Sequence, residues 1–132
     1  MAEITTLIEG DLLTITVIGN LTANELIYAF NTYYTSGKVK DVIWDLTDGS
    51  SQSIPIDEFK AIAYAAKLAT FAGSRKGGKT VFVGNTACEY NIFQLYKNIA
   101  ELSGVPAEYK VFRTIEGAKC WLSKNALETK QL

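Results

Sequence analysis

The segment Gly73-Ser74-Arg75-Lys76-Gly77-Gly78-Lys79-Thr80 satisfies the pattern GxxxxGK[ST], which elsewhere cradles phosphates. Such a loop works by leaving a strand and opening a helix, so that backbone N–H groups and the helix N-terminus converge on the anion. Here the order is reversed. An Ala-rich helical segment precedes Gly73, and the strand-like run Val81-Phe82-Val83 follows Lys79. Magnesium would also need an acidic ligand from a second strand end. Asp45 is the only fair candidate, and the alternation of elements places it at the opposite edge of the sheet. A nucleotide-binding switch is therefore the least favoured function. The segment reads as a solvated, basic helix-to-strand turn in which Arg75, Lys76 and Lys79 could offer a weak anion or partner patch.

The chain has no histidine. That removes the commonest general base near neutral pH and a frequent metal ligand, and with them every Ser-His-Asp, Cys-His or His-rich site built within one chain. No catalytic constellation, metal site or cofactor motif takes their place, so a non-enzymatic role is expected. Three weaker features remain. The loop Thr47–Ser53 gathers Asp48, Gly49, Ser50, Ser51 and Ser53, residues that could hold a polar ligand or accept a phosphoryl group but are also plain turn formers. Asn85 and Thr86 open a helix whose N–H groups could bind an anion, though Thr86 and Glu89 already suit a capping box. Cys88 lies in the first turn of the same helix, where the dipole favours a thiolate; a packing role is the competing reading.

The chain of 132 residues fits one domain, here 1–125 with a polar tail at 126–132. With 48% hydrophobic residues it can bury a core without staples. A net charge of −1 supplies no global field for nucleic acid or an anionic membrane. Cys88 and Cys120 form no CxxC or disulfide framework. No signal peptide and no apolar run long enough for a membrane span is visible, so a cytoplasmic location is the expectation.

The elements that must position these residues alternate. Ile4–Ile8 and Leu13–Val17 read as a β-hairpin around Glu9-Gly10-Asp11, from their period of two. Thr22-Ala23-Asn24-Glu25 is a capping box that starts a helix over Ala23–Ser36, and Gly37 stops it. Val42–Leu46 is a nearly continuous apolar run suited to a central strand. The spacing of Phe59, Ile62, Ala63, Ala66 and Ala69 predicts a second helix, introduced by Pro55 and Asp57 and ending at Ala72. Thr80–Val83 is a strand, the stripe Ile92, Leu95, Tyr96, Ile99 and Leu102 a third helix, Tyr109–Arg113 a last strand and Ile115–Lys124 a last helix. The order β-β-α-β-α-β-α-β-α implies an α/β fold: a mixed, mostly parallel five-stranded sheet with an N-terminal hairpin and about four helices. Ligands of such sheets sit outside the carboxyl ends of the strands, where Gly19–Thr22, Thr47–Ser53, Gly84–Thr86 and Arg113–Ile115 should gather.

Tyr28, Tyr33, Tyr34, Tyr64, Phe71, Tyr90 and Phe93 are more aromatics than one buried face per helix needs. Tyr33, Tyr34, Tyr64, Tyr90 and Phe93 are candidates for an apolar pocket or for a homodimer surface on the first and third helices; ordinary core packing is the alternative.

Taken together, Gly19-Asn20-Leu21-Thr22 after the hairpin, Val42-Ile43-Trp44-Asp45-Leu46, Thr80-Val81-Phe82-Val83-Gly84 and the closing Tyr109–Leu122 stretch resemble the STAS/SpoIIAA-like superfamily, especially its small stand-alone bacterial members of unassigned activity. The resemblance spans nearly the whole chain. It implies a regulatory or protein-interaction module, with small-molecule or lipid binding as the alternative. The superfamily's anti-sigma-factor antagonists carry a DSSG-like phosphoserine motif after the third strand. Here that region reads Ser50-Ser51-Gln52-Ser53-Ile54-Pro55-Ile56-Asp57, with serines but without the motif.

Overall fold

A computed structural model describes residues 2–73 and 75–131, with backbone alone beyond residue 123. β1 (Glu3–Glu9) and β2 (Leu12–Asn20) form the expected hairpin, in unbroken antiparallel register from Glu3↔Ile18 to Glu9↔Leu12. Its two-residue turn needs a positive φ at the first position, and Gly10 supplies it at 65°. β2 then pairs in parallel with β3 (Asp41–Leu46), β3 with β5 (Lys79–Gly84), and β5 with β6 (Glu108–Phe112). A sixth strand, β4 (Gly49–Ser50), lies inside what the sequence marks as a loop and pairs in parallel with Gly19–Asn20 of β2. Two residues give no periodicity to read. What permits the pairing is a missing side chain, since a Cβ on Gly49 would stand 2.6 Å from the Val17 carbonyl oxygen.

Alternation along the strands divides the interior into two layers. Leu13, Ile15, Val17, Val42, Trp44, Leu46, Phe82, Tyr109 and Val111 pack with α1 (Ala23–Tyr33), α2 (Phe59–Ala72) and α3 (Ala87–Leu102). Ile43, Val81 and Val83 point the other way, onto Ala118, Trp121 and Leu122 of α4 (Ile115–Gln131). Small residues Ala63, Ala66 and Ala69 are buried, which lets α2 lie close to its neighbours.

Three boundaries differ from expectation. The first helix tightens into a 3-10 turn at Tyr34–Ser36 before Gly37 reverses the chain with a φ of 77°. A 3-10 turn at Ile56–Glu58 precedes α2. The last helix runs on to Gln131 rather than ending at Lys124.

The GxxxxGKT segment stands at the amino ends of β3 and β5. Three of its backbone donors are spent on the protein: Gly77 N–H on the Pro106 carbonyl (2.8 Å), Gly78 N–H on the Arg75 carbonyl (2.8 Å) and Lys79 N–H on Asp41 Oδ1 (2.8 Å). The expected solvated turn is corrected in one respect. Arg75 is fully buried, donating to the Lys40 carbonyl (2.8 Å), the Lys79 carbonyl (3.0 Å) and Thr80 Oγ1 (2.8 Å), with its guanidinium 4.3 Å from the Tyr34 ring centre. Carbonyl dipoles and a ring face carry a charge that would otherwise be too costly to bury. Burial raises the phenol of Tyr34 above its ordinary value, with Arg75 and a hydrogen bond from Trp44 pulling it back. It raises those of Tyr96 and Tyr109 as well, so all three rings stay neutral at physiological pH.

Candidate functional site

The carboxyl ends of the strands carry the site, and it forms around Glu89. Two local features place that residue. Gly84 ends β5 without a side chain, and a Cβ there would stand 3.0 Å from both Glu89 Cβ and the Tyr90 nitrogen, so glycine lets the first turn of α3 sit this close without crowding. Thr86 then caps the helix, its Oγ1 accepting from the Glu89 N–H at 3.1 Å.

The Glu89 carboxylate does not complete the predicted capping box. It crosses to the serine loop and is only 3% exposed. Its Oε1 accepts from Ser50 Oγ at 2.8 Å and from Gln52 Nε2 at 3.3 Å. Its Oε2 accepts from Ser51 Oγ at 2.7 Å and from the Ser51 N–H at 3.1 Å. A buried carboxylate is tolerated when charge-assisted hydrogen bonds replace its water, and a position in the first turn of a helix adds the favourable end of the dipole.

The loop is fixed on its other side by backbone. Leu21 N–H donates to the Ser50 carbonyl (2.8 Å) and Ile54 N–H to the Ser51 carbonyl (3.0 Å). Asp45 Oδ1 braces the entry turn by accepting from the Thr47 N–H (3.0 Å) and Thr47 Oγ1 (2.6 Å). At the exit of β6, Arg113 Nη2 donates to the Asn85 carbonyl at 3.1 Å. The four loops expected to gather do so, and these bonds tie them into one surface.

Within it, Ser51 is buried, Ser50 is half-buried, and Asp48 and Ser53 are exposed. Asn85 and Thr86 are exposed as well, with Thr86 committed to its cap. Cys88 is exposed beside them. The chemistry available is that of hydroxyl donors held on a carboxylate, a latch between the serine loop and α3.

The aromatic candidates do not form one surface. Tyr34 is sealed in the core, where its hydroxyl accepts from Trp44 Nε1 at 3.0 Å. Phe93 is also core, stacked on Phe82 with ring centres 5.0 Å apart. Tyr33 and Tyr90 are half-buried, and only Tyr64 of the five stands out, at 61% exposure. The exposed aromatics are Tyr28, Tyr64 and Phe71, on α1 and α2 rather than α1 and α3. Between the three helices and the sheet lies an apolar cavity where a greasy pocket is expected, bordered by Phe30, Trp44, Ile54, Phe59, Phe93 and Tyr96 among others. Its volume of about 30 Å³ has room for one or two waters, far short of the several hundred Å³ of a ligand pocket.

No described helix is long and apolar enough to cross a membrane, and among the described residues no cluster of acidic and cysteine side chains could hold a metal ion. No protein-family model matches the chain, and no curated protein matches it in sequence. Solved structures match its fold. The anti-sigma factor antagonist SpoIIAA, in its unphosphorylated form, aligns with a TM-score of 0.53 at 14% identity, over 93% of this chain and 98% of its own. An uncharacterised protein of the DUF3478 family with a SpoIIAA-like fold, from Shewanella loihica PV-4, aligns with a TM-score of 0.51 at 18% identity, over 92% and 93%. The chain has a STAS/SpoIIAA-like fold.

Proposed function

We propose that this chain is a non-enzymatic regulatory module whose working end is the serine loop, presented to a protein partner. The observation that carries the reading is the latch: one buried carboxylate on α3 accepts from Ser50, Ser51 and Gln52. A loop made of turn-forming residues is thereby held in one shape, and a fixed shape lowers the ordering cost of binding. The fold's likeness to an anti-sigma factor antagonist agrees with such a role.

The latch also sets how modification would act. Esterifying Ser50 or Ser51 with phosphate removes a donor and sets a charge of roughly −2 against Glu89, so the loop must leave its seat. Ser53, exposed with Asp48, lies outside the latch and accepts the same group without releasing it.

A photo-crosslinking residue at Ser53, introduced in the source cell, is expected to trap one discrete protein. Glu89→Ala is expected to abolish that adduct. The same residue at Lys119, exposed on α4, should trap nothing comparable. No adduct from Ser53, or the same adducts from both positions, overturns the proposal.

A further inference from the structure

The two edges of the sheet are finished differently. On β6, Glu108 and Lys110 alternate along the α4 side, where Lys110 Nζ lies 5.7 Å from the Trp121 ring centre and Phe112 packs on the same ring. Charged side chains and a helix crossing overhead are the usual guards against strand addition. The opposite edge, β1, is charged only at its two ends, Glu3 and Glu9. Its five central residues, Ile4-Thr5-Thr6-Leu7-Ile8, are uncharged and include no proline, and its register with β2 runs without a bulge. Leu7 is 58% and Ile8 49% exposed, one on each face of the sheet. On the helix side, an open groove lined by Ala2, Ile4, Asn24, Glu25 and Tyr28 runs beside the strand, so α1 does not close over it.

From this edge we infer that the chain self-associates through β1, two copies pairing antiparallel across a two-fold axis to continue one sheet through both. A second copy is the occupant because the strand is complementary to itself. A two-fold perpendicular to the sheet makes identical strands antiparallel and keeps paired residues on the same face. Centred on Leu7, the register sets Leu7 of one copy against Leu7 of the other, Thr6 against Ile8 and Thr5 against Glu9. Both exposed apolar side chains are then covered; no glutamate faces a glutamate within the paired strands, and Glu3 falls opposite Asp11 only in the turn beyond them. Centring on Thr6 instead would oppose Glu3 to Glu9 twice, which like charges on neighbouring strands disfavour. A net charge of −1 leaves the two copies with little mutual repulsion. Self-association is thus assigned to the edge strand, and not to the aromatics of α1 and α3. It is independent of the serine loop, which lies at the carboxyl ends of the central strands.

Sedimentation velocity of the full chain over a concentration series tests it, with Leu7→Lys and with Leu7→Cys and Thr5→Cys, each made in a Cys88→Ser, Cys120→Ser background. A dimer is expected for the unaltered chain. Leu7→Lys should weaken it by about tenfold or more, with an unchanged circular dichroism spectrum. On mild oxidation Leu7→Cys should give a disulfide-linked dimer and Thr5→Cys should not, because only residue 7 meets its own copy. A chain that stays monomeric to about 1 mM, a dimer indifferent to Leu7→Lys, or equal cross-linking at positions 5 and 7 overturns the inference. The first of these leaves an extended peptide as the occupant of the edge, and the second moves the interface to the exposed Tyr64, Leu68 and Phe71 of α2.

Discussion

Two helices of this molecule begin with the same four-residue pattern and use it differently. At α1, Thr22 and Glu25 close on each other: Glu25 N–H donates to Thr22 Oγ1 (3.3 Å), and Glu25 Oε1 accepts from the Thr22 N–H (3.0 Å) and hydroxyl (2.9 Å). At α3, Thr86 caps in the same way, but Glu89 turns outward to residues 37–39 positions earlier in the chain. The difference lies in the surroundings. Glu25 stands near the open edge of the sheet, where its other oxygen accepts from the Ala2 N–H at 3.3 Å. Glu89 is drawn by Gly84 against the end of a central strand, facing a loop that offers it four donors. A capping pattern states where a helix starts, and tertiary context decides what its carboxylate does.

The largest expected consequence is at Glu89. Replacing it with alanine leaves the buried Ser51 N–H and hydroxyl, and the half-buried Ser50 hydroxyl, without this acceptor. Glu89→Ala is expected to cost about 3 kcal/mol in urea unfolding, and the Ser51 amide should lose its protection from hydrogen exchange. A cost below about 1 kcal/mol, the value of an ordinary cap, would make the two motifs equivalent after all.

How much of this was legible in the chain follows from the range of the interactions. The hairpin, the central strands and the start of α1 depend on neighbours a few residues apart, so period and punctuation reveal them. The phosphate-loop pattern could be set aside because the direction of the chain through it was readable, and the spent Gly77, Gly78 and Lys79 amides agree. Arg75 was not legible as a buried residue. Its partners, Tyr34, the Lys40 carbonyl and Thr80, come together only when β3 and β5 pair. Whether Tyr34 and Phe93 pack in the core or face a surface is not readable for a related reason, since an aromatic-rich helix does not announce which of its faces the sheet will cover. For Glu89 one signal was present: Gly84 lies five residues before it at the end of an apolar strand, the position where a close backbone approach is common.

That glycine gives the next test. Gly84→Ala sets a methyl group 3.0 Å from Glu89 Cβ and the Tyr90 nitrogen, and backbone on both sides limits relaxation. The expected cost is about 2 kcal/mol in thermal or urea unfolding. The variant should also loosen the serine loop while leaving Glu89 in the chain, seen as faster exchange of the Ser51 amide. Lost stability with an unchanged loop would show that Gly84 serves only the packing of α3, and that the loop selects Glu89 unaided.

The smallest expected effect belongs to the ordinary member of the pair. Glu25→Ala removes one half of a solvent-accessible capping box, and water can replace the lost acceptor for Thr22 and Ala2. The expected cost is about 1 kcal/mol, with faster exchange confined to the first turn of α1 and none in residues 49–53. The two costs should also add in the double variant, because Glu25 and Glu89 share no hydrogen-bond partner. A Glu25→Ala cost near that of Glu89→Ala, or a combined cost far from the sum, would mean that the α1 cap is coupled to the latch. A physical route runs through Leu21, which precedes the Thr22 cap and donates its N–H to the Ser50 carbonyl at 2.8 Å.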